Sequence, residues 1–232
     1  MTRVASGLHQ VSLRGVNAFL LADDAGGLVM IDAGFPTSAD AICSAVRGLG
    51  HELPDVRHIL VTHSHGDHTG SLARLRTLTG ARTYMHQQAA NLVAKGRAVT
   101  HLTAGPGLVD RWMHRRLMAI VPPTVAAVDA DVLVNDGDLL PFAGGIEVIH
   151  TPGHSPGHVV FLARKARTMF LGDAAANVFG LRPMVYNGDH WQAGQSLRRL
   201  GRLEFEVACV GHGSPIRRKA SNRFRHRWKE NR

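Results

Sequence analysis

The chain has 232 residues, 44% of them hydrophobic and 19% charged, the profile of a folded domain and not of a disordered or fibrous chain. No apolar run reaches membrane-spanning or signal-peptide length, so a cytoplasmic protein without a membrane span is expected. The formal charge of +9 sits at one end: residues 217–232 carry eight basic side chains against Glu230, a net +7, leaving +2 for the rest, which argues against a nucleic-acid footprint spread over a domain face.

Residues 8–13 and 16–21 are apolar runs split by Arg14-Gly15 and predict a hairpin. A turn over 23–27 leads to a strand at 28–32, which closes on Asp32-Ala33-Gly34. Residues 38–50 have helical spacing, with Ala41, Ile42, Ala45, Val46 and Leu49 on one side. A strand at 57–61 runs into the segment Thr-His-Ser-His-Gly-Asp-His-Thr-Gly at 62–70, and a helix is expected from Asp67 through Leu78, ended by Gly80. A strand at 81–86 and a helix from 87 to about 95 continue an α/β layered rhythm.

Residues 96–124 interrupt that rhythm. They hold a break at Gly105-Pro106-Gly107 and a helix over 108–120 stopped by Pro122-Pro123, an insertion that either covers a site opening or packs on the core. Strands follow at 132–134, 138–141, 146–150, 159–162 and 168–171, then a helix over 190–203 with Leu197, Leu200 and Leu203 on one side. A last strand at 207–210 leaves through a glycine turn. Cys43 and Cys209 lie in apolar contexts with no Cys-x-x-Cys spacing and read as reduced core residues. Residues 1–216 are expected to form one domain and 217–232 a solvated basic helix, with RNA, acidic lipid or an acidic substrate group as its alternative contacts.

Fifteen histidines are too many for each to carry meaning, but His63, His65, Asp67 and His68 fall within six positions at the end of a buried strand. Imidazole and carboxylate together suit zinc or another divalent first-row ion, and the turn at Gly66 lets non-adjacent side chains converge. Three later segments share the form of an apolar strand, then glycine, then His or Asp: 148–154 ending on His154, 169–173 ending on Asp173, and 208–212 ending on His212. If these strand ends meet, two ions can be held, with Asp173 shared between them to offset their like charge.

These motifs, in this order, resemble those of the metallo-β-lactamase superfamily of metal-dependent hydrolases over nearly the whole chain, to Gly213. The resemblance implies a four-layered αββα sandwich of two mixed β-sheets. It implies that His63, His65 and His154 hold a first ion, that Asp67, His68 and His212 hold a second, and that Asp173 bridges them. Two divalent ions are expected, with Zn2+ favoured and Fe or Mn open. A shared water acidified to hydroxide would then attack an ester, thioester or lactone, with Asp67 orienting it or moving its proton.

The ligand set resembles the glyoxalase II and lactonase branches; the histidine at position 65 departs from the flavodiiron branch, which has glutamate there. Ala174, Ala175 and Ala176 stand where glyoxalase II-like proteins have a Gly-Cys-Gly-Arg stretch and where some lactonases have a tyrosine; Tyr186 and Asn187 lie further on as candidates for that place. His158 is expected behind the ligands or as a structural hydrogen-bonding group, His150 as a strand-end residue, and Thr62 and Thr151 as hydroxyl partners of the ligands.

Phe179, Leu181, Met184, Tyr186, Trp112 and Met118, with Asn177 and His190 as polar members, would form an apolar pocket wall suited to an acyl chain or hydrophobic ester. The expected partner is a small-molecule substrate; a nucleic acid is not expected, and a homodimer is left open. A phosphodiesterase or RNA-processing nuclease is the first alternative, and a mononuclear iron oxygenase or non-catalytic binding protein the second. β-Lactam cleavage is not expected.

Overall fold

The computed structural model describes residues 1–98 and 101–228; the side chains of Val109, Met113, Leu117 and Met118 are not described. In chain order the elements are β1 (Thr2–Ala5), β2 (Leu8–Leu13), β3 (Val16–Ala22), β4 (Leu28–Ile31), α1 (Ala39–Gly48), β5 (Val56–Leu60), α2 (Gly66–Thr69), α3 (Leu72–Thr79), β6 (Arg82–His86) and α4 (Gln87–Val93). Then come β7 (Thr103–Ala104), α5 (Leu108–Met118), β8 (Val132–Val134), β9 (Leu139–Leu140), β10 (Ile146–His150), β11 (Val159–Ala163) and β12 (Thr168–Phe170). The chain continues through β13 (Ala175–Asn177), β14 (Leu181–Pro183), β15 (Tyr186–Asn187), α6 (His190–Leu200), β16 (Val207–Cys209) and α7 (Ala220–Arg227).

Two mixed sheets result. The first has the order β1-β2-β3-β4-β5-β6-β8 and the second β16-β12-β11-β10-β9. In the first, β1 to β4 pair antiparallel while β4-β5, β5-β6 and β6-β8 are parallel. In the second only β12-β16 is parallel.

Period-two alternation fixes the layers. Phe19, Ile31 and Leu60 point between the sheets and meet Val148, Phe161 and Phe170. Their neighbours Leu20, Met30 and Ile59 point outward to Ile42, Val46 and Leu72 of α1 and α3. Ile149 and Val160 point out on the far side to Leu197, Leu200 and Phe224 of α6 and α7. Four layers, helix–sheet–sheet–helix, follow from those three clusters. Cys43 and Cys209 are free and buried, one in an outer cluster and one between the sheets.

Several elements differ from expectation. The helix expected over 67–78 is two helices, because the loop after β4 takes its backbone groups: Ala33 N–H donates to the His68 carbonyl at 2.7 Å and Gly70 N–H to Gly34 at 2.8 Å. Ser71 completes the break by donating its hydroxyl to the Phe35 carbonyl at 2.6 Å. In α1 the buried face is Ala39, Ile42, Cys43, Ala45 and Val46, and Ala41 faces solvent. Neither β1 nor the short pairs β13-β14 and β15-β7 were anticipated.

The basic C-terminal segment is not a solvated tail over its described part. Phe224 is fully buried, and its ring meets Phe205 edge-on at 5.3 Å and Trp228 at 4.7 Å. Ala220, Ser221 and Phe224 of α7 are buried, and its three arginines are exposed. Lys229, Glu230 and Arg232 lie outside the described residues.

Candidate metal centre

The strand ends of both sheets meet at one edge. Asn17 at the start of β3 donates its N–H to the Gly211 carbonyl at 2.8 Å and its amide to Val210 and Gly213 at 3.0 and 2.8 Å. Val159 N–H donates to the Thr62 carbonyl at 2.8 Å. These bonds join the loops after β5 and β16 to the opposite sheet. At that edge stand His63, His65, Asp67, His68, His154, Asp173 and His212, all but His212 buried to 3% exposure or less.

Three donor groups can be drawn among them: His63 with His65 and His154, His63 with His68 and Asp173, and Asp67 with His68 and His212, the donor atoms of each group lying within 4.8 Å of one another. Nε2 of His154 is 3.0 Å from Nδ1 of His65 and 3.5 Å from an oxygen of Asp173. Nε2 of His212 is 3.2 Å from that same oxygen and 3.4 Å from Asp67, while His68 Nε2 is 3.3 Å from the other oxygen of Asp173. Ligands about 2.1 Å from one tetrahedral ion stand about 3.4 Å apart. The spacing therefore fits zinc-sized ions, and Asp173 turns one oxygen to His68 and the other to His154 and His212.

The far nitrogen of four rings is tied to oxygen. His63 Nδ1 is 3.0 Å from the Thr62 hydroxyl, His68 Nδ1 2.8 Å from Asp32, His154 Nδ1 3.2 Å from the Tyr186 carbonyl and His212 Nδ1 2.7 Å from the Gly15 carbonyl. With the proton on Nδ1, each Nε2 presents a lone pair to the cluster. Nε2 of His63, His68 and His212 and one oxygen of Asp173 are buried with no hydrogen-bond partner. Such orphaned groups cost about 1–3 kcal/mol each unless something binds them, and divalent ions are what this donor set suits.

Burial lowers the pKa of His63, His65 and His154, His65 to about 3, so these rings are neutral. Burial also opposes charge on His68 and His212. The carboxylates of Asp173 and Asp67 outweigh it, raising His68 well above its usual value and His212 to about 10. A bound divalent ion would balance those carboxylates instead, with release of the ring protons.

Asp32 is the residue that sequence reasoning missed. It takes φ +60°, a left-handed conformation that Asp tolerates better than most residues. Its carboxylate accepts from the Thr62 N–H and hydroxyl, both at 2.8 Å, as well as from His68. It has the same strand-end form, apolar run then acid near glycine, that pointed to Asp173. His158 lies behind the ligands: its Nε2 accepts from the Asp173 N–H at 3.0 Å, so its Nδ1 carries the proton and donates to the Thr151 hydroxyl at 2.8 Å. Gly172, at φ +47°, makes that contact feasible, because a Cβ there would press on the Thr62 hydroxyl and His158 Nε2. His150 donates to the Pro156 carbonyl at 2.8 Å and stacks on His86 away from the cluster.

A cavity of about 210 Å³ opens beside His212, lined by Ala176, Val178, Phe179, Met184 and Tyr186 among others. Tyr186 is buried, its ring 5.7 Å from that of His154, and its hydroxyl meets no protein partner among the described residues. Asn177, Leu181, His190 and Trp112 do not line it. Asn177 donates its amide to the Ser214 carbonyl at 2.7 Å and braces the His212 loop. His190 Nε2 lies 3.0 Å from the Thr103 carbonyl, and Trp112 is 62% exposed on α5. The Met118 side chain lies outside the description. A larger cavity of about 360 Å³ near Lys165 holds none of these donors.

The family model described as "Metallo-beta-lactamase superfamily" matches residues 11–212. The "Probable metallo-hydrolase YflN" of Bacillus subtilis is 26% identical over 91% of this chain and 86% of its own length. The "Atrochrysone carboxyl ACP thioesterase" of Aspergillus fumigatus is 29% identical over 90% of this chain but 40% of that protein. Among solved structures, a metallo-beta-lactamase family protein of Thermus thermophilus superposes with TM-score 0.71 at 25% identity, covering 97% of this chain and 79% of that one. The chain belongs to the metallo-beta-lactamase superfamily, whose fold it has.

Proposed function

We propose that this member of the superfamily is a hydrolase that holds two divalent cations, zinc by preference, and cleaves a thioester, ester or lactone with an apolar acyl part. The observation that carries this reading is the set of inward-facing donors at one sheet edge, with orphaned atoms and tetrahedral spacing, beside an apolar cavity. His63, His65 and His154 would hold one ion, Asp67, His68 and His212 the other, and Asp173 both. When bound, the ions supply a Lewis acid for the carbonyl and an acidified water as nucleophile.

The chain's own groups do the rest. The cavity's buried apolar wall at Ala176, Met184 and Val185 receives the acyl chain, with Val178 and Phe179 at its mouth. Tyr186 offers its hydroxyl to the substrate carbonyl and to the oxyanion that develops there. Burial, with Asp173 and Asp67 nearby, holds its pKa well above the usual tyrosine value, so it stays a donor throughout the working range. Asp67 takes the nucleophile's proton and returns it to the leaving group as the acyl carbon exchanges its bond to sulfur or oxygen for one to water. The relative named as a thioesterase makes an acyl thioester the first substrate to test.

The test is a panel of acyl thioesters, lactones, aryl esters and bis-aryl phosphodiesters, run on protein of measured metal content. Turnover of carboxyl substrates that scales with two zinc equivalents is expected. Activity on phosphodiesters alone, or one iron per chain with oxygen uptake, would replace the reading.

A further inference from the structure

Ten large apolar side chains stand exposed among the described residues, and five of them fall on two neighbouring segments: Leu108, Trp112 and Ile120 on and just after α5, and Val178 and Phe179 at the β13-β14 tip. The extremes are 82% for Leu108 and 87% for Phe179, far from the burial a core-packing helix would show. The two segments are tied together. Arg182 of β14 pairs with Asp110 of α5 at 3.4 Å, and Gly105, just before α5, donates to the Val185 carbonyl at 2.8 Å. Because Phe179 and Arg182 also line the cavity beside His212, this apolar surface is the rim of the candidate site.

The same helix is cationic. Arg111, Arg115 and Arg116 are exposed, and none has a carboxylate partner among the described residues, whereas the helix's one acid, Asp110, is taken by Arg182. The Arg116 guanidinium lies 5.5 Å over the Trp112 ring, so charge and aromatic surface are presented together. A second copy of the chain is a poor occupant, since a symmetric contact would set three arginines against three arginines. Protruding Leu, Trp and Phe beside arginine match the headgroup zone of an anionic bilayer, where rings and aliphatic groups enter the acyl boundary and guanidinium groups remain with the phosphates.

We propose that the rim formed by α5 and the β13-β14 tip docks on an anionic phospholipid surface, with the cavity mouth facing the lipid. Such an orientation lets an acyl substrate leave the bilayer and enter the cavity without crossing bulk water.

The test is sedimentation with vesicles of phosphatidylcholine alone and of phosphatidylcholine with phosphatidylglycerol, followed also by tryptophan fluorescence. The wild-type chain should bind the anionic vesicles and not the neutral ones, with a blue shift on binding. The double substitution Arg115→Glu and Arg116→Glu should lower the partition coefficient by about tenfold or more. Trp112→Ser should weaken binding and remove most of the blue shift. Both variants should keep the wild-type melting temperature and turnover of a soluble ester, since none of the three side chains lines the cavity. Absence of binding to anionic vesicles overturns the proposal, even where the same face captures an acidic protein. Equal uptake by neutral vesicles overturns it, and so does binding that both variants retain, which would assign attachment to the basic face of α7. Binding is read without catalysis, so a failed substrate panel and a failed docking surface remain distinguishable.

Discussion

Asp32 accepts the Nδ1 proton of His68 at 2.8 Å and the hydroxyl of Thr62 at the same distance, and Thr62 in turn faces His63 Nδ1 at 3.0 Å. One carboxylate thus orients a ring in each half of the proposed centre. Asp32→Asn keeps the size but removes the charge that makes His68 a strong donor to an ion. Metal affinity is expected to fall about 10–100-fold, measured by competition with a chromophoric chelator. Unchanged affinity would refute the positioning role.

Asp173 stands between the donor groups, with one oxygen near His68 and the other near His154 and His212. Asp173→Ala should cost the purified protein most of both ions. Elemental analysis showing full two-ion occupancy in that variant would remove the bridging assignment.

Tyr186→Phe deletes one hydroxyl and leaves the buried ring in place. If that hydroxyl meets the oxyanion, kcat should drop by about a hundredfold with little change in KM. Steady-state kinetics on a thioester and a lactone decide it, and an unchanged kcat would make Tyr186 a packing residue only.

Phe224 anchors α7 against α6 and β16. Phe224→Ala is expected to cost about 3–5 kcal/mol, read from urea unfolding. A loss below about 1 kcal/mol would mean that the basic helix is dispensable to the fold.

Asp131 ties α3 to β6: it accepts from Arg76 at 2.6 Å and from the N–H and hydroxyl of Thr83 at 2.8 and 2.9 Å. Partial burial opposes its charge, but Arg76 and Thr83 outweigh it and lower its pKa to about 2. A free Asp titrates near 4. The charged form is therefore favoured on folding, and its contribution is present above about pH 4 and lost as pH falls toward 2. With solvent screening, Asp131→Asn should cost about 1 kcal/mol at pH 7 and nearly nothing near pH 2, by urea titration at both. A pH-independent cost would point to lost geometry alone.

The layered fold and the residues gathered at the sheet edge were readable because their signals are local. Strands such as β3, β10 and β11 are long enough to show their apolar character, and the acid or imidazole at a strand's glycine-marked end is within a few positions of it. Asp32 carries that same mark but lies alone in the sequence while His63 to His68 crowd together, so its role shows only in its folded contacts. The pairs β13-β14 and β15-β7 were invisible, because two or three residues have no period and β15 is paired from more than 80 positions away. The break between α2 and α3 was invisible for a related reason: the donors that divert its backbone belong to the loop after β4. The pocket wall is legible only as a composition of apolar residues; the folded contacts take Asn177 to Ser214, His190 to Thr103 and Leu181 to the cluster under α6, and leave Trp112 exposed.

The bonds from Asn17 to Val210, Gly211 and Gly213, with that from Val159 to Thr62, make the ligand edge a seam between the two sheets. The loops after β5 and β16, which carry five of the seven donors, are each bonded to the sheet they do not grow from. A small shear of one layer over the other would leave every strand intact and yet pull the imidazoles apart. Were the proposed ions bound there, their loss would be the earliest sign of loosening on mild heating, ahead of any change in secondary structure, and the proposed centre would serve as a built-in gauge of whether the sandwich is closed.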